Sequence, residues 1–253
     1  MALLVDTQAR AAEPEHRGQP GKKVAIVTGA SQGIGAGVAA AFGASGYAVV
    51  GTALSVEKSE TPDVLMVPGD IAQEGTAELV VDQALGRFGR IDTLVNNAGI
   101  FIGKPFTEYT PDDYLAITSV NLTGFFHITQ RAIRQMVAQG GGHVINVSTS
   151  LVDHPDSRTP SALASLTKGG LEAVSRSLAI EYAKRGVRVN TVALGIIQTP
   201  VHDPASYHGL ADRHPLGRLG EVSDVVDGIL YLERATFVTG ETLRIDGGRA
   251  AGD

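Results

Sequence analysis

Residues 24–35 read Val-Ala-Ile-Val-Thr-Gly-Ala-Ser-Gln-Gly-Ile-Gly, and this stretch decides the fold. Val24 to Val27 form a short apolar run with no polar face, the pattern of a strand covered on both sides. Gly29, Gly33 and Gly35 follow at once and let backbone approach a pyrophosphate. Beyond them, Val38 and Phe42 lie at helical spacing, so the glycine segment opens a helix whose first N–H groups and partial positive charge face outward. Strand, glycine-rich turn and helix occur in the order that a dinucleotide site requires. The plainer reading of the same residues is a tight strand–helix turn without a ligand.

Outward from this segment, short apolar runs alternate with helix-period segments. Stretches 24–27, 48–51, 64–67, 93–95, 143–147, 188–192 and 242–245 predict seven strands. Helical patterns occupy about 33–45, 74–88, 112–138, 161–185 and 221–232. Such alternation predicts an α/β fold, a single doubly wound Rossmann-like domain with a seven-stranded parallel sheet and right-handed crossovers. Pro111 ahead of two aspartates suits a helix start, and Gly186 after Lys184 and Arg185 suits a helix end. Stretch 199–220, with three prolines and three histidines, reads as a mobile loop with room for short helices over the carboxyl edge of the sheet.

Length and composition narrow the function. A chain of 253 residues suits one α/β domain, here 22–253. With 21 basic and 27 acidic side chains, the net charge of −6 does not favour nucleic acid or anionic membrane. The chain has no cysteine, which excludes disulfides, thiolate metal sites and cysteine nucleophiles. No metal site is expected. No run of about 20 apolar residues is present to span a bilayer. Segment 1–21 lacks the basic start and long apolar run of a signal peptide. Its Ala, Glu, Arg, Gln and Pro content predicts a flexible extension outside the fold, and the expected location is cytoplasmic.

Further motifs stand at fixed places: Asn96-Asn97-Ala98-Gly99, Asn121-Leu122-Thr123-Gly124 and, near the C-terminus, Asp246-Gly247-Gly248. Together with Thr28–Gly35 they resemble the short-chain dehydrogenase/reductase family from about Lys22 to Gly248. The resemblance implies a bound NAD or NADP, cradled by Gly29, Ser31, Gln32, Gly33, Ile34 and Gly35. It implies that Asp70 and Ile71 hold the adenine ring, and that Asn97, Ala98 and Gly99 pack against the adenine ribose. Asp70 also reads as a helix cap, and Asn96 and Asn97 as turn stabilisers. After the second strand, Gly51-Thr52-Ala53-Leu54-Ser55 has no acid until Glu57. An acid there would bond a ribose 2′-hydroxyl and repel a 2′-phosphate. Thr52 and Ser55 favour NADP, although Gln32 stands where the family often has a phosphate-binding base. Alternatively, 52–55 is only a loop.

For the reaction centre the resemblance implies a relay of asparagine, serine, tyrosine and lysine. Asn121 matches the asparagine that holds a water behind the lysine, and Lys168 matches the lysine that bonds the nicotinamide ribose. The serine maps onto Thr149, with Ser148 as the second choice. Each also has a local reading, as a helix asparagine, a solvent-facing lysine or a capping hydroxyl. Ala164 stands four residues before Lys168, on the same helix face, where the family's proton-donating tyrosine is expected. The nearest later tyrosine, Tyr182, lies roughly 20 Å further along a helix at ~1.5 Å per residue. Proton delivery is then left to a water between Thr149 and Lys168, or to His154, Tyr207 or His208. Ile197 backbone groups match the carboxamide contact and Thr199 the phosphate contact, unless Thr199 only caps a helix. Leu194 replaces the family's proline.

These readings predict an NAD(P)-dependent oxidoreductase that moves a hydride between nicotinamide and a small carbonyl, alcohol or imine, with an atypical proton relay. The alternative is a catalytically silent dinucleotide-binding sensor or scaffold. A homotetramer is implied by the resemblance. The small residues of 161–185 (Ala162, Ala164, Gly169, Gly170, Ala173) suit close helix packing, within or between subunits.

Overall fold

Every strand runs parallel to its neighbours, and the order across the sheet is β3-β2-β1-β4-β5-β6-β7. The computed structural model describes residues 21–200 and 207–252, without the side chains of Tyr207 and His208. The expected extension 1–21 therefore lies outside the described residues, apart from Gly21. So do 201–206 of the expected loop and the side chains of two candidate proton donors. The strands are β1 (Val24–Thr28), β2 (Ala48–Ala53), β3 (Val64–Pro68), β4 (Thr93–Asn96), β5 (Gly142–Thr149), β6 (Val187–Leu194) and β7 (Thr242–Ile245). All seven fall where the apolar runs lie.

Alternation along β1 explains both layers. Val24 and Ile26 join a core with α2 (Glu74–Phe88), α4 (Phe125–Ala138) and the end of α5 (Ala162–Tyr182). Ala25 and Val27 join a second core with α1 (Gly33–Ala44) and α7 (Val222–Arg234). Successive residues of a strand point to opposite faces, so a strand covered on both sides is apolar throughout. In α4, Ile128, Ala132 and Met136 are fully buried, a four-residue repeat that sets one helix face on the sheet.

The helical pattern over 112–138 is not one helix. It begins as α3 (Pro111–Thr118), where Thr110 and Asp113 form a reciprocal capping box. A π-helical turn, Ser119–Gly124, follows, and then α4. No glycine or proline interrupts 112–123 to announce the change. The expected 161–185 helix is α5 plus a 3₁₀ turn, Ala183–Arg185, closed by Gly186 at φ 76°. Within the described part of the 199–220 loop one short helix forms, α6 (Tyr207–Ala211).

The chain runs outward from β1 to β2 and β3, then crosses back to β4. The β1–β4 boundary is therefore the switch point of the sheet, where a crevice opens beyond the carboxyl ends of the strands. Gly29 follows β1 and Asn97 follows β4, so the fold places both motifs on the two lips of that crevice.

Candidate active site

The glycine turn is tight because its neighbours leave no room. A Cβ on Gly29 would stand 2.8 Å from Asn97 Nδ2, and one on Gly35 would stand 2.1 Å from the Gly29 carbonyl oxygen. Gly29 and Gly33 also have φ of +67° and +55°, which only glycine adopts freely. A Cβ on Gly33 would meet Thr199 Cγ2 at 3.4 Å, so Thr199 lies directly against the cradle. Ser31 and Gln32 are exposed, Ile34 is half-buried, and Gln32 makes no side-chain cap. The first turn of α1 keeps its N–H groups for another partner.

Thr28 and Asn97 lock the two lips together. Thr28 Oγ1 accepts the N–H groups of Asn97 at 3.1 Å and Ala98 at 2.9 Å. Asn97 Nδ2 donates to the carbonyls of Thr28 at 2.9 Å and Gly29 at 3.3 Å. At the end of β2, Thr52 is buried and its Oγ1 has no protein partner among the described residues. Asp70 Oδ1 accepts the N–H of Ala72 at 3.0 Å, the local capping role. Ile71 is buried against Gly124, whose added Cβ would lie 3.0 Å from Ile71 Cγ2. The cradle and the free helix end fit a pyrophosphate-bearing dinucleotide.

Lys168, Asn121 and Gly99 converge beside this crevice. A Cβ on Gly99 would lie 3.0 Å from Lys168 Nζ and 3.2 Å from Asn121 Oδ1. Asn121 is buried; its Oδ1 accepts the Ile100 N–H at 2.9 Å and its Nδ2 donates to the Ile100 carbonyl at 3.1 Å and to Thr167 Oγ1 at 3.2 Å. The π turn widens the helix where this side chain leaves it, a distortion frequent at functional positions. Lys168 Nζ donates to the Val147 carbonyl at 2.7 Å. Burial pushes its ammonium down to about 8, because desolvation penalises the charged form.

The strand pleat separates the two hydroxyl candidates. Ser148 Oγ donates to Glu172 Oε1 at 2.5 Å, and burial raises that carboxyl. Ser148 is thus turned into α5. Thr149, next along β5, faces the other side and accepts the Leu151 N–H at 3.3 Å. Ala164 is buried, packed with Ile117 and Leu163, and flanked by Ile102 and Tyr109. The Tyr109 hydroxyl donates to the Ile102 carbonyl at 2.8 Å. Ile197 is buried and forms a bridge with Gly220.

His214 was not singled out by sequence as a site residue. It is buried, and its Nε2 accepts the N–H of Ile196 at 3.0 Å. A Cβ on Gly195 would lie 2.8 Å from the same nitrogen. The imidazole therefore clamps the 195–198 loop after β6. Its partner lies 18 residues away, and no local spacing signals the contact.

Among the described residues, no group of three or more His, Asp or Glu side chains is arranged to hold a metal ion. No described helix is long and apolar enough to cross a membrane.

The sequence matches a family model described as enoyl-(acyl carrier protein) reductase over residues 29–250. It is 38% identical over 244 residues to granaticin polyketide synthase putative ketoacyl reductase 2 of Streptomyces violaceoruber, covering 90% of this chain and 96% of that protein. The fold is similar to ElxO with NADP bound, with a TM-score of 0.85, 29% identity and coverage of 91% of this chain and 100% of the other. It is also similar to 3-ketoacyl-(acyl-carrier-protein) reductase from Brucella melitensis complexed with NADH. There the TM-score is 0.82 at 30% identity, covering 90% of this chain and 98% of the other.

Proposed function

The chain belongs to the short-chain dehydrogenase/reductase family and is an NAD(P)-dependent oxidoreductase, and from that premise we propose that it works with an altered proton relay. The dinucleotide, once bound, supplies or accepts the hydride. Gly29, Ser31, Gln32, Gly33, Ile34, Gly35 and Thr199 hold its phosphates, and Asp70, Ile71, Asn97, Ala98 and Gly99 its adenosine half. Ile197 orients the nicotinamide, and Lys168 holds the ribose beside it. Thr149 orients the substrate oxygen, and Asn121 braces the lysine side of the site. The observation that carries this reading is the convergence of Lys168, Asn121 and Gly99 at the switch point.

Ala164 occupies the position of the family's tyrosine. In this proposal the proton reaches the substrate oxygen through Thr149, Lys168 and a water between them. The loss is survivable: a positioned acid contributes roughly 10²–10⁴ in rate, whereas positioning the reactants contributes effective molarities of ~10⁵ M and above. An imine substrate, already protonated as iminium, needs no acid at all. NADP is favoured over NAD because no carboxylate occurs in 48–56 to repel a 2′-phosphate. The proposed assembly is a homotetramer in the cytoplasm. Leu166 and Ile180 on α5 and Phe126 on α4 support it as exposed apolar side chains.

A second reading rests on Ala164 itself. Its apolar packing is equally that of a silent NAD(P)-binding sensor or scaffold. Ala164→Tyr separates the two. A gain of roughly 10²–10⁴ in NADPH-dependent ketone reduction is the expected outcome for an intact relay around the gap. Unchanged NADPH binding without any gain, together with no turnover on cyclic imines, establishes the silent reading.

A further inference from the structure

We propose that the cleft formed by Arg158, Arg213 and Arg249 binds a carboxylate or phosphate group of the substrate. The proposal deepens the oxidoreductase reading and rests on it. The cleft has a volume of about 350 Å³ and is also lined by His154, Asp156 and Asp212. Three guanidinium groups converge there on one carboxylate. Arg158 donates to Asp156 through Nε at 3.0 Å and Nη2 at 3.1 Å. Arg249 Nη2 donates to Asp156 Oδ2 at 3.1 Å. Arg213 Nη1 lies 3.9 Å from the same oxygen and donates to Thr159 Oγ1.

One carboxylate neutralises one of these cations. Among the described residues two further carboxylates act on the group: Asp212 is exposed to solvent, where screening weakens its field, and Asp246, which acts on Arg249, has both its oxygens engaged by the N–H groups of Gly248 and Ala250. Arg249 is the decisive member, because its side chain is only 4% exposed. Of its five N–H donors, one has a side-chain acceptor among the described residues, Asp156. Burial, ahead of the guanidiniums of Arg213 and Arg158, pushes the pKa of Arg249 down against the pull of Asp156 and Asp246, so its charge is poorly solvated where it lies. An anion with several oxygens would solvate these converging guanidiniums through paired, charge-assisted hydrogen bonds.

The cleft is joined to the reaction centre by the chain itself. Asp156 and Arg158 lie on the segment that leads from Thr149 to Ala164, and Ser165 Oγ ties this segment to α5 through the Leu151 carbonyl at 3.3 Å. His214 lines the cleft and also holds the Ile196 N–H. The substrate class that fits is a carbonyl or alcohol carrying an anionic group remote from the reacting carbon.

The test is calorimetric titration of the full chain, saturated with NADPH, with inorganic phosphate at constant ionic strength. Saturating NADPH keeps the phosphate out of the cofactor cradle. Binding is expected in the native chain, weakened about tenfold by Arg213→Met or Arg249→Met, as loss of a charge-assisted hydrogen bond implies. Because Arg249 is buried, Arg158→Gln serves as the variant that leaves the fold undisturbed, again with weaker binding expected. Phosphate is also expected to compete with a carboxylated ketone and not with its methyl ester. No phosphate binding alongside normal NADPH binding overturns the cleft proposal alone. Binding without competition overturns the assignment to substrate. Failure to bind NADPH overturns the oxidoreductase premise instead.

Discussion

Lys168 carries a charge that its surroundings do not favour. Its hydrogen bond goes to a neutral carbonyl, that of Val147, and burial lowers it to about 8. The ammonium is the form that stabilises negative charge developing on a substrate oxygen. The kcat/KM for carbonyl reduction is therefore expected to hold level below about pH 8 and fall above it, as the free enzyme loses that proton. Lys168→Arg, permanently charged, should flatten the fall, and a fall left intact in that variant refutes the assignment. Stability moves the opposite way. Between about 8 and the ordinary lysine value of 10.5 the unfolded chain holds a proton that the folded chain lacks, so stability rises with pH there. Lys168→Met should remove that rise together with activity, whereas Lys168→Arg removes the rise and keeps the charge, so the two variants together separate the functional role from the structural one. The hydroxyl pair divides similarly. Thr149→Val should cut kcat/KM by about tenfold or more with stability nearly unchanged. Ser148→Ala leaves Glu172 without its donor, so it should cost roughly 1–3 kcal/mol in chemical unfolding with KM unchanged. The resemblance put Thr149 ahead of Ser148, but that Ser148 turns into α5 was not legible in the residues themselves, because adjacent strand residues differ only by a pleat direction that register decides.

At the scale of elements, the strands and the glycine turn were legible because each depends on residue type at a fixed place. Apolar runs require two covered faces, and Gly29 and Gly35 occupy points where any Cβ collides. The π turn at Ser119–Gly124 was not legible, since its first five residues suit an α-helix equally well. It widens under the tertiary demand of Asn121 for both backbone groups of Ile100. The His214 clamp was hidden for the same reason, as a long-range contact that leaves no periodic trace. Its function follows from geometry. Nε2 accepts a hydrogen bond only in the neutral ring, and burial lowers the pKa of His214, which keeps the ring neutral. His214→Leu removes the clamp on the loop proposed to hold the nicotinamide. NADPH affinity, read by fluorescence titration, is expected to fall about tenfold, the worth of one hydrogen bond near a charged ligand. His214→Gln restores an acceptor and should recover part of that loss. Equal affinity in all three proteins removes the loop from cofactor binding.

Across the whole molecule, the amino ends of the strands are held by a buried polar network remote from the carboxyl-edge crevice. His143 is the second residue of β5 and Arg188 the second of β6; sequence read both as strand residues without showing that their polar groups turn inward. His143 Nδ1 donates to Glu233 Oε2 at 2.8 Å, and its Nε2 accepts from Asn190 Nδ2 at 3.0 Å. The Tyr47 hydroxyl donates to Glu233 Oε1 at 2.8 Å. Arg188 donates to the carbonyls of Leu232, Glu233, Ala235 and Val238, which fixes the end of α7 to the sheet. Burial lowers His143 and holds the ring neutral, with its proton on Nδ1. Burial opposes ionisation of Glu233, but the hydrogen bonds it accepts, from His143 first and from Tyr47, turn its net shift downward. Protonation of the unfolded chain then sets the acid limit. As pH falls through the ordinary histidine value of 6.5, unfolded His143 and His214 take up protons that the folded chain refuses. Stability drops, with a slope of up to about 1.4 kcal/mol per pH unit from each ring. Urea unfolding at pH 7, 6 and 5 should show this loss in the native chain. His143→Gln, which keeps an amide donor for Glu233, should lose about half of the slope and retain NADPH binding. A slope identical to the native one would remove His143 from the acid limit, and simultaneous loss of NADPH binding would show that the two edges of the sheet are coupled.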